Sequence, residues 1–160
     1  MKHIVGVADM KTSNQAGDSI VTYSLGSCIG LVIYDPIARA GGLLHYMLPD
    51  SSIDKEKAKA KPYMFADTGI PRLFKESYTL GAKKGRIKVF VAGGAEILDQ
   101  QGFFNIGKRN YMALKKMLFR NNVLIEKQAV GGNVNRTVRL EIATGHIYIK
   151  TSGSREERIL

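Results

Sequence analysis

Apolar residues alternate with polar ones, or form short unbroken runs, in eight segments of the chain, and both patterns are typical of β-strands. The predicted strands cover residues 4–8, 19–25, 29–34, 43–47, 86–92, 123–130, 137–142 and 146–150. The last two are expected to pair as a hairpin around the turn residues Ala143-Thr144-Gly145. Strands therefore dominate the predicted structure.

Two longer segments have helical periodicity, at residues 62–80 and 106–121. In the first, Gly69 and Pro71 are expected to kink or divide the helix, and Gly81 is a suitable residue to follow its C-terminus. The polar and charged segment 51–61 predicts a mobile surface loop, which either borders a substrate site or serves only as a connection.

Many strands with only two main helices indicate an α/β or α+β fold in which most strand pairs are antiparallel. The chain has 160 residues, which suits a single domain over residues 1–160, and its hydrophobic content of 44% is enough for a substantial core. No internal repeat and no low-complexity linker divides the sequence.

The one cysteine, Cys28, comes just before a predicted strand, and His45 lies in the next one. Asp35-Pro36 predicts a turn between these strands, and Gly41-Gly42 leads into the second. If the turn is centred between Pro36 and Ile37, Cys28 and His45 lie directly opposite each other, on the same face and with Cβ atoms about 4.5–5.5 Å apart. A slip of one residue would place them on opposite faces.

A thiol within reach of an imidazole has the chemistry of a nucleophile and its general base. Gly26 and Ser27, ahead of the cysteine, permit a tight turn and close approach of a substrate, and the Cys28 N–H is placed to stabilise an oxyanion. The alternative is that Cys28 is a small buried hydrophobe and His45 an ordinary polar side chain in a strand. A reactive thiol needs both access and surroundings that favour the thiolate.

The net charge of +10 shows that the surface is strongly basic. Such a charge attracts nucleic acid, anionic lipid or an acidic protein, or belongs to an ordinary solvated surface. The lysines are dispersed, and the alternation of basic and aromatic residues that is typical of RNA-binding sheets is absent. On composition alone, an acidic protein partner fits as well as nucleic acid.

Several classes of protein are not expected. No apolar run reaches about 18 residues, so membrane insertion is not predicted, and the N-terminal residues are too mixed for a signal peptide. A single cysteine excludes an internal disulfide and is compatible with a cytoplasmic setting. The histidines and the cysteine lack the spacing of metal ligands. Gly93-Gly94 lacks the spacing of a nucleotide-binding loop and is interpreted as close backbone packing, so neither metal nor cofactor is expected.

The segment Gly102-Phe103-Phe104-Asn105 places two aromatic residues in a turn-like stretch. One is expected in the core, and the other is a candidate anchor for a helical partner, because aromatic side chains dominate binding hot spots. Phe104 and Ser27 are therefore the candidate contacts for a substrate or partner.

Two groups of short motifs occur in a characteristic order. The first surrounds the cysteine and comprises Thr22, Leu25-Gly26-Ser27-Cys28, Asp35-Pro36, Gly41-Gly42, His45 and Met47-Leu48-Pro49. The second follows it and comprises Tyr63, Ala66-Asp67, Gly81-Ala82, Gly93-Gly94-Ala95, Asn105-Ile106-Gly107 and Arg109-Asn110. In this combination the sequence resembles the CheD family of chemoreceptor glutamine deamidases. The resemblance runs from about Gly6 to about Lys150 and does not include the tail at 153–160.

The resemblance implies a layered α/β/β sandwich that hydrolyses glutamine side chains of chemotaxis receptors to glutamate. It assigns Cys28 as nucleophile, His45 as its base and Thr22 as the third member of the site. Methyl-accepting chemotaxis receptors and a CheC-type phosphatase are the implied partners, which favours protein over nucleic acid as the target of the basic surface. The alternative is a regulatory binding module for that phosphatase with little catalysis of its own.

Overall fold

The computed structural model describes residues 1–97 and 104–160. Within these ranges the strands are β1 Lys2–Ile4, β2 Asp9–Ser13, β3 Ser19–Leu25, β4 Ile29–Asp35, β5 Ala40–Tyr46, β6 Lys88–Gly93, β7 Ile125–Val130, β8 Arg136–Glu141, β9 Ile147–Thr151 and β10 Arg158–Ile159. The α-helices are α1 Lys55–Ala60, α2 Ala66–Thr79 and α3 Ile106–Arg120.

The strands form two five-stranded sheets. The first has the order β1-β3-β8-β9-β10 and the second the order β2-β5-β4-β6-β7. Among the described strands every pair is antiparallel except β1 with β3 and β6 with β7. The predicted fold class, an α+β sandwich of largely antiparallel strands, is confirmed.

The second sheet is the middle layer, because both of its faces are covered. On one face, Val32 and Tyr34 of β4 pack with Leu140 and Ile149 of the first sheet. On the other face, the intervening residues of β4 pack against helices α2 and α3, as Leu31 does in one apolar cluster with Leu114. The full burial of β4 and β5 follows from this position, and each fully buried aliphatic side chain contributes about 1.5–3 kcal/mol. The three layers are helices, sheet and sheet.

Several parts of the secondary structure differ from the prediction. The first predicted strand, 4–8, overlaps the observed β1 only at Ile4, and the short strand β10 was not predicted. Strand β2 was not predicted, because its sequence is mainly polar and it lies at the edge of its sheet with only one face partly covered. The segment 51–61 is not a plain loop: it contains a 3₁₀ turn and helix α1. The carboxylates of Asp50 and Asp54 accept hydrogen bonds from Ser52 N–H and Lys57 N–H and so cap these two turns.

Helix α2 is continuous through Pro71, so the predicted division of this helix does not occur. Pro71 is exposed, and on the outer side of a helix water can satisfy the carbonyl that proline leaves unpaired. Gly81 follows the helix with a φ of +102°, as predicted for a residue that ends a helix. No helix in the described ranges is long and apolar enough to span a membrane.

Candidate active site

The hairpin of β4 and β5 places His45, but its register differs from the predicted one. His45 pairs with Gly30, and the loop is centred between Ile37 and Ala38 because Asp35 pairs with Ala40. The prediction that Cys28 lies directly opposite His45 is therefore wrong by two residues.

The buried carboxylate of Asp35 fixes this turn. It accepts hydrogen bonds from the N–H groups of Ile37 and Ala38 and from the Lys83 N–H, and the Arg86 guanidinium lies 2.8 Å from it. The two glycines that were expected to lie at the end of the turn belong to β5 instead, where a Cβ on Gly41 would overlap the Ile33 carbonyl oxygen. They are needed for close strand packing, so the turn ends, and β5 begins, earlier than the Gly-Gly pair suggests.

A register shift of two residues leaves the face of each side chain unchanged. Cys28 packs against the apolar cluster between the two sheets, which is the side to which His45 also points. The two residues are thus diagonal neighbours on one face, about 7–8 Å apart at Cα for an ideal sheet. Gly30, opposite His45, adds no side chain between them.

Thr22 reaches the same place from β3 of the other sheet. Its hydroxyl lies 2.7 Å from His45 Nδ1 and donates to the Val5 carbonyl at 2.8 Å. A hydroxyl has one proton to donate, so Thr22 must accept its second hydrogen bond from Nδ1–H. Neutral His45 is therefore protonated on Nδ1, and its Nε2 has a free lone pair. A β-bulge follows Thr22 in its pairing with β8, a feature that is common beside active sites.

Among the described residues, no group donates a hydrogen bond to the Nε2 lone pair of His45. His45 is 1% exposed, and Nε2 is buried without a hydrogen-bond partner. The Cys28 thiol does not reach it at hydrogen-bond distance in this structure, and catalytic hydrogen bonds commonly tighten only in a substrate complex.

Burial keeps both groups neutral in the resting protein. It lowers the pKa of His45 to about 4, against a smaller opposite effect of Asp9. It also raises the pKa of the Cys28 thiol, which is partly counteracted by the cysteine's own N–H. Cys28 is partly exposed, as a reactive thiol requires, but its surroundings do not favour the thiolate. The arrangement fits proton transfer during attack rather than a preformed thiolate–imidazolium pair.

Residues 26–28 include the candidate nucleophile Cys28, and we call them the nucleophile loop. Hydrogen bonds to the loop's carbonyl groups hold it in place. Gly26 O accepts from Ala95 N–H and Cys28 O from Gly94 N–H, both at 2.9 Å. Gly93 has a φ of +107°, and a Cβ there would overlap the Cys28 carbonyl oxygen, which confirms close packing as the role of this glycine. In the described ranges the N–H groups of Ser27 and Cys28 donate to no main-chain carbonyl, which makes them the candidate donors to an oxyanion. In the resting protein the Cys28 N–H interacts with the cysteine's own sulfur.

Cys28 borders an open cleft of about 620 Å³, a size typical of ligand sites. The other lining residues are mainly apolar or small: Ser24, Gly26, Ser27, Ala95, Glu96, Ile97, Phe104, Ile106 and Asn135. Both predicted contact residues, Ser27 and Phe104, thus line the same cleft as the thiol, and Phe104 is 70% exposed. Phe103 lies outside the described residues. Within them, no group of three His, Cys, Asp or Glu side chains is arranged to hold a metal ion.

Two buried polar residues near the site were not predicted. The Asn110 side chain donates to Ser27 O at 2.9 Å and to Met47 O at 2.7 Å, and Arg136 donates to Gly93 O and Gly131 O. Each interrupts an apolar pattern. Asn110 lies four residues before Leu114 on the buried face of α3, and Arg136 occupies the first inward-facing position of β8. A polar residue at a core position was the available signal.

These features describe an α/β/β sandwich protein with a cysteine–histidine–threonine site between its two sheets. The family described as CheD chemotactic sensory transduction matches residues 47–151. Relatives that match 94% or more of the chain also cover the site residues Thr22, Cys28 and His45. The chain belongs to the CheD family.

Two relatives show how far the similarity extends. A protein of Syntrophus aciditrophicus (strain SB) named "Probable chemoreceptor glutamine deamidase CheD 1" is 59% identical over 150 residues, which are 94% of this chain and 94% of the relative. One of Solibacter usitatus (strain Ellin6076) named "Probable chemoreceptor glutamine deamidase CheD" is 50% identical over 156 residues, 98% of this chain and 92% of the relative.

Proposed function

We propose that this protein hydrolyses the side-chain amide of glutamine residues in chemotaxis receptors, with Cys28 as nucleophile, His45 as general base and Thr22 as the residue that orients His45. The observation that carries the proposal is the Thr22–His45 contact of 2.7 Å, which leaves the Nε2 lone pair on the face that also bears the thiol. The names of the relatives supply the substrate class.

The first half-reaction forms a thioester. Cys28 Sγ attacks the carboxamide carbon while its proton passes to His45 Nε2, so that no free thiolate is needed beforehand. The carbonyl oxygen becomes an oxyanion, for which the N–H groups of Ser27 and Cys28 are the available donors. The imidazolium then returns its proton to the amide nitrogen, ammonia leaves, and the acyl group stays on sulfur.

The second half-reaction restores the enzyme. A water molecule gives a proton to His45 Nε2 and attacks the thioester carbon. The tetrahedral intermediate collapses, glutamate is released, and the imidazolium protonates the departing sulfur of Cys28. Thr22 keeps the imidazole in the Nδ1–H form throughout, so that Nε2 serves as base in both halves.

The cleft beside Cys28 supports a substrate glutamine that is part of a protein. Ser27 and Phe104 lie on its lining, where they would contact the receptor segment around the glutamine. Binding energy from these surroundings would place the carboxamide against the thiol, so free glutamine is expected to be a poor substrate.

Mass spectrometry of receptor cytoplasmic fragments tests the proposal. After incubation with the protein, peptides should carry glutamate at specific glutamine positions, and Cys28→Ala and Cys28→Ser should abolish this change. Ser77→Ala is the matched control, because Ser77 is buried and hydrogen-bonded to Leu73 O away from the site. Activity in the Cys28 variants would overturn the nucleophile assignment. No glutamate with the wild-type protein would favour the alternative, a binding module for a CheC-type phosphatase.

A further inference from the structure

The two strands that carry the site separate at the end that bears Cys28. Their pairing ends at Ile29 with Tyr46. Beyond this pair, the N–H groups of Met47 and Leu48 both turn away and donate to Met64 O, at 2.8 and 3.0 Å. The carbonyl groups of Ser27 and Met47 are then left without a donor from the neighbouring strand.

The side chain of Asn110 fills this gap. Its single NH₂ group donates one proton to Ser27 O at 2.9 Å and the other to Met47 O at 2.7 Å. Asn110 is fully buried and comes from α3, on the helix side of the sheet. Asn110 therefore supports the main chain from the helix side of the sheet, while Cys28 and His45 point to the opposite side.

The orientation of this amide is determined by its partners. With the NH₂ group and the oxygen exchanged, the oxygen would face two carbonyl oxygens. In the observed orientation Oδ1 is buried without a partner among the described residues, which is an unfavourable state for an amide. Helix packing does not explain an asparagine here, because its neighbours along the same face, Leu114 and Leu118, belong to the apolar core.

A second contact ties the same helical turn to the site. The Tyr46 hydroxyl donates to the Asn110 main-chain carbonyl at 2.7 Å, and Tyr46 directly follows His45. The turn of α3 around Asn110 is thereby connected to the residue before Cys28 and to the residues after His45.

From these contacts we infer that Asn110 is a positioning residue that sets the distance between the nucleophile loop and the strand end that bears His45. It touches neither thiol nor imidazole. Its loss changes the alignment of the nucleophile and of the oxyanion donors at Ser27 and Cys28, and an error of about 1 Å in such alignment costs on the order of 10²-fold in rate. The effect on deamidation rests on the function proposed above, whereas the effect on Cys28 geometry does not.

The experiment compares Asn110→Ala with Leu114→Ala, which loosens the same helix one turn further on without touching the loop. Two quantities are measured well below the melting temperature of each variant: kcat and KM on a receptor fragment, and the rate of Cys28 alkylation by iodoacetamide as a function of pH. Asn110→Ala should lower kcat about 10- to 100-fold with KM changed less than about threefold, and it should shift the alkylation profile. Leu114→Ala should leave both close to wild type.

The variant Asn110→Asp supplies a second readout that a structural effect alone would not produce. A protonated carboxyl group can still donate to one of the two carbonyls, whereas a carboxylate can donate to neither. The kcat of this variant relative to wild type should therefore fall as pH rises, and Asn110→Ala should show no such trend.

The outcomes separate the two proposals. If Cys28→Ala retains deamidation, the proposed function fails, but the alkylation comparison still tests the role of Asn110. Wild-type alkylation and kcat in Asn110→Ala, or equal losses in Asn110→Ala and Leu114→Ala, would overturn the positioning role.

Discussion

The Thr22 hydroxyl donates its only proton to the Val5 carbonyl, so its contact with His45 is accepted from Nδ1–H. This hydrogen bond fixes the tautomer of His45. Without that hydroxyl, Nδ1–H of His45 would lose its acceptor, and the Nε2–H tautomer would become accessible. A histidine in that tautomer carries no lone pair on the side facing Cys28 and cannot act as its base.

We therefore expect Thr22→Val, which keeps the shape of the side chain, to lower kcat on a receptor fragment by about 10²-fold, the lower part of the range for general-base catalysis. Thr22→Ser keeps the hydroxyl and should retain most of the activity. Steady-state kinetics of both variants, with melting curves to confirm folding, provide the measurement. Equal activities in the two variants would refute the role of the hydroxyl.

The buried imidazole also predicts how stability depends on pH. Burial lowers the pKa of His45 from 6.5 to about 4 in the folded state. Between these values the unfolded chain binds a proton that the folded protein does not, so stability decreases as pH falls through this window. The expected slope from this residue is at most about 1.4 kcal/mol per pH unit.

Urea denaturation at a series of pH values between 7 and 4 measures this slope. In His45→Gln, where the titrating group is gone, the change of unfolding free energy with pH should be smaller than in the wild-type protein by up to about 1.4 kcal/mol per pH unit, which corresponds to one proton. An unchanged slope in His45→Gln would show that the imidazole is protonated in the folded state.

Among the elements, the hairpin of β4 and β5 shows where sequence reasoning succeeds and where it stops. Apolar runs bounded by turn residues predicted both strands, and the expected turn centre placed Cys28 and His45 on one face. That placement holds after a shift of two residues because it depends only on the parity of the register. The register itself depended on the Asp35 carboxylate, whose partners Lys83 and Arg86 come from a distant segment. Contacts of that kind are not visible in a local pattern.

The same limit applies to the residues that support the site. Asn110 was visible as a member of a motif, but its bonds to Ser27 and Met47 require α3 to pack behind the second sheet. Strand β2 was missed because an edge strand with a polar sequence carries little alternation. Tertiary packing, rather than local propensity, decided both cases.

The tight turn after β6 gives a prediction at this scale. Gly93 has a φ of +107°, and a Cβ on it would overlap Cys28 O. Gly93→Ala should therefore destabilise the protein by at least about 2 kcal/mol, from combined backbone strain and overlap. Gly85 is the control, because nothing lies within 4 Å of a Cβ built on it, and Gly85→Ala should be neutral or stabilising by up to about 1 kcal/mol.

Chemical denaturation measures both free energies of unfolding. For Gly93→Ala the alkylation rate of Cys28 should also change, because the displaced loop carries the thiol. A Gly93→Ala protein as stable as Gly85→Ala, with an unchanged alkylation rate, would contradict the close packing described here.

For the whole molecule, the site depends on both sheets at once. Thr22 belongs to the first sheet, His45 to the second, and the bond between them crosses the apolar layer that joins the sheets. The imidazole of His45 is therefore oriented by Thr22 only when the two sheets are packed together. The nucleophile loop, in contrast, is held by α3 and by the segment that follows β6, so its position depends on the layer of helices as well.

The net charge of +10 acts at the same scale. If the receptor segment that enters the cleft is acidic, opposite charges accelerate encounter more than they change the bound state. Raising salt should therefore lower kcat/KM on a receptor fragment while kcat at saturation stays nearly constant, because screening weakens attraction beyond about 10 Å at 0.1 M salt. Iodoacetamide is neutral, so its reaction with Cys28 provides the control and should be independent of salt. A kcat/KM that is equally insensitive to salt would show that the basic surface does not guide the substrate.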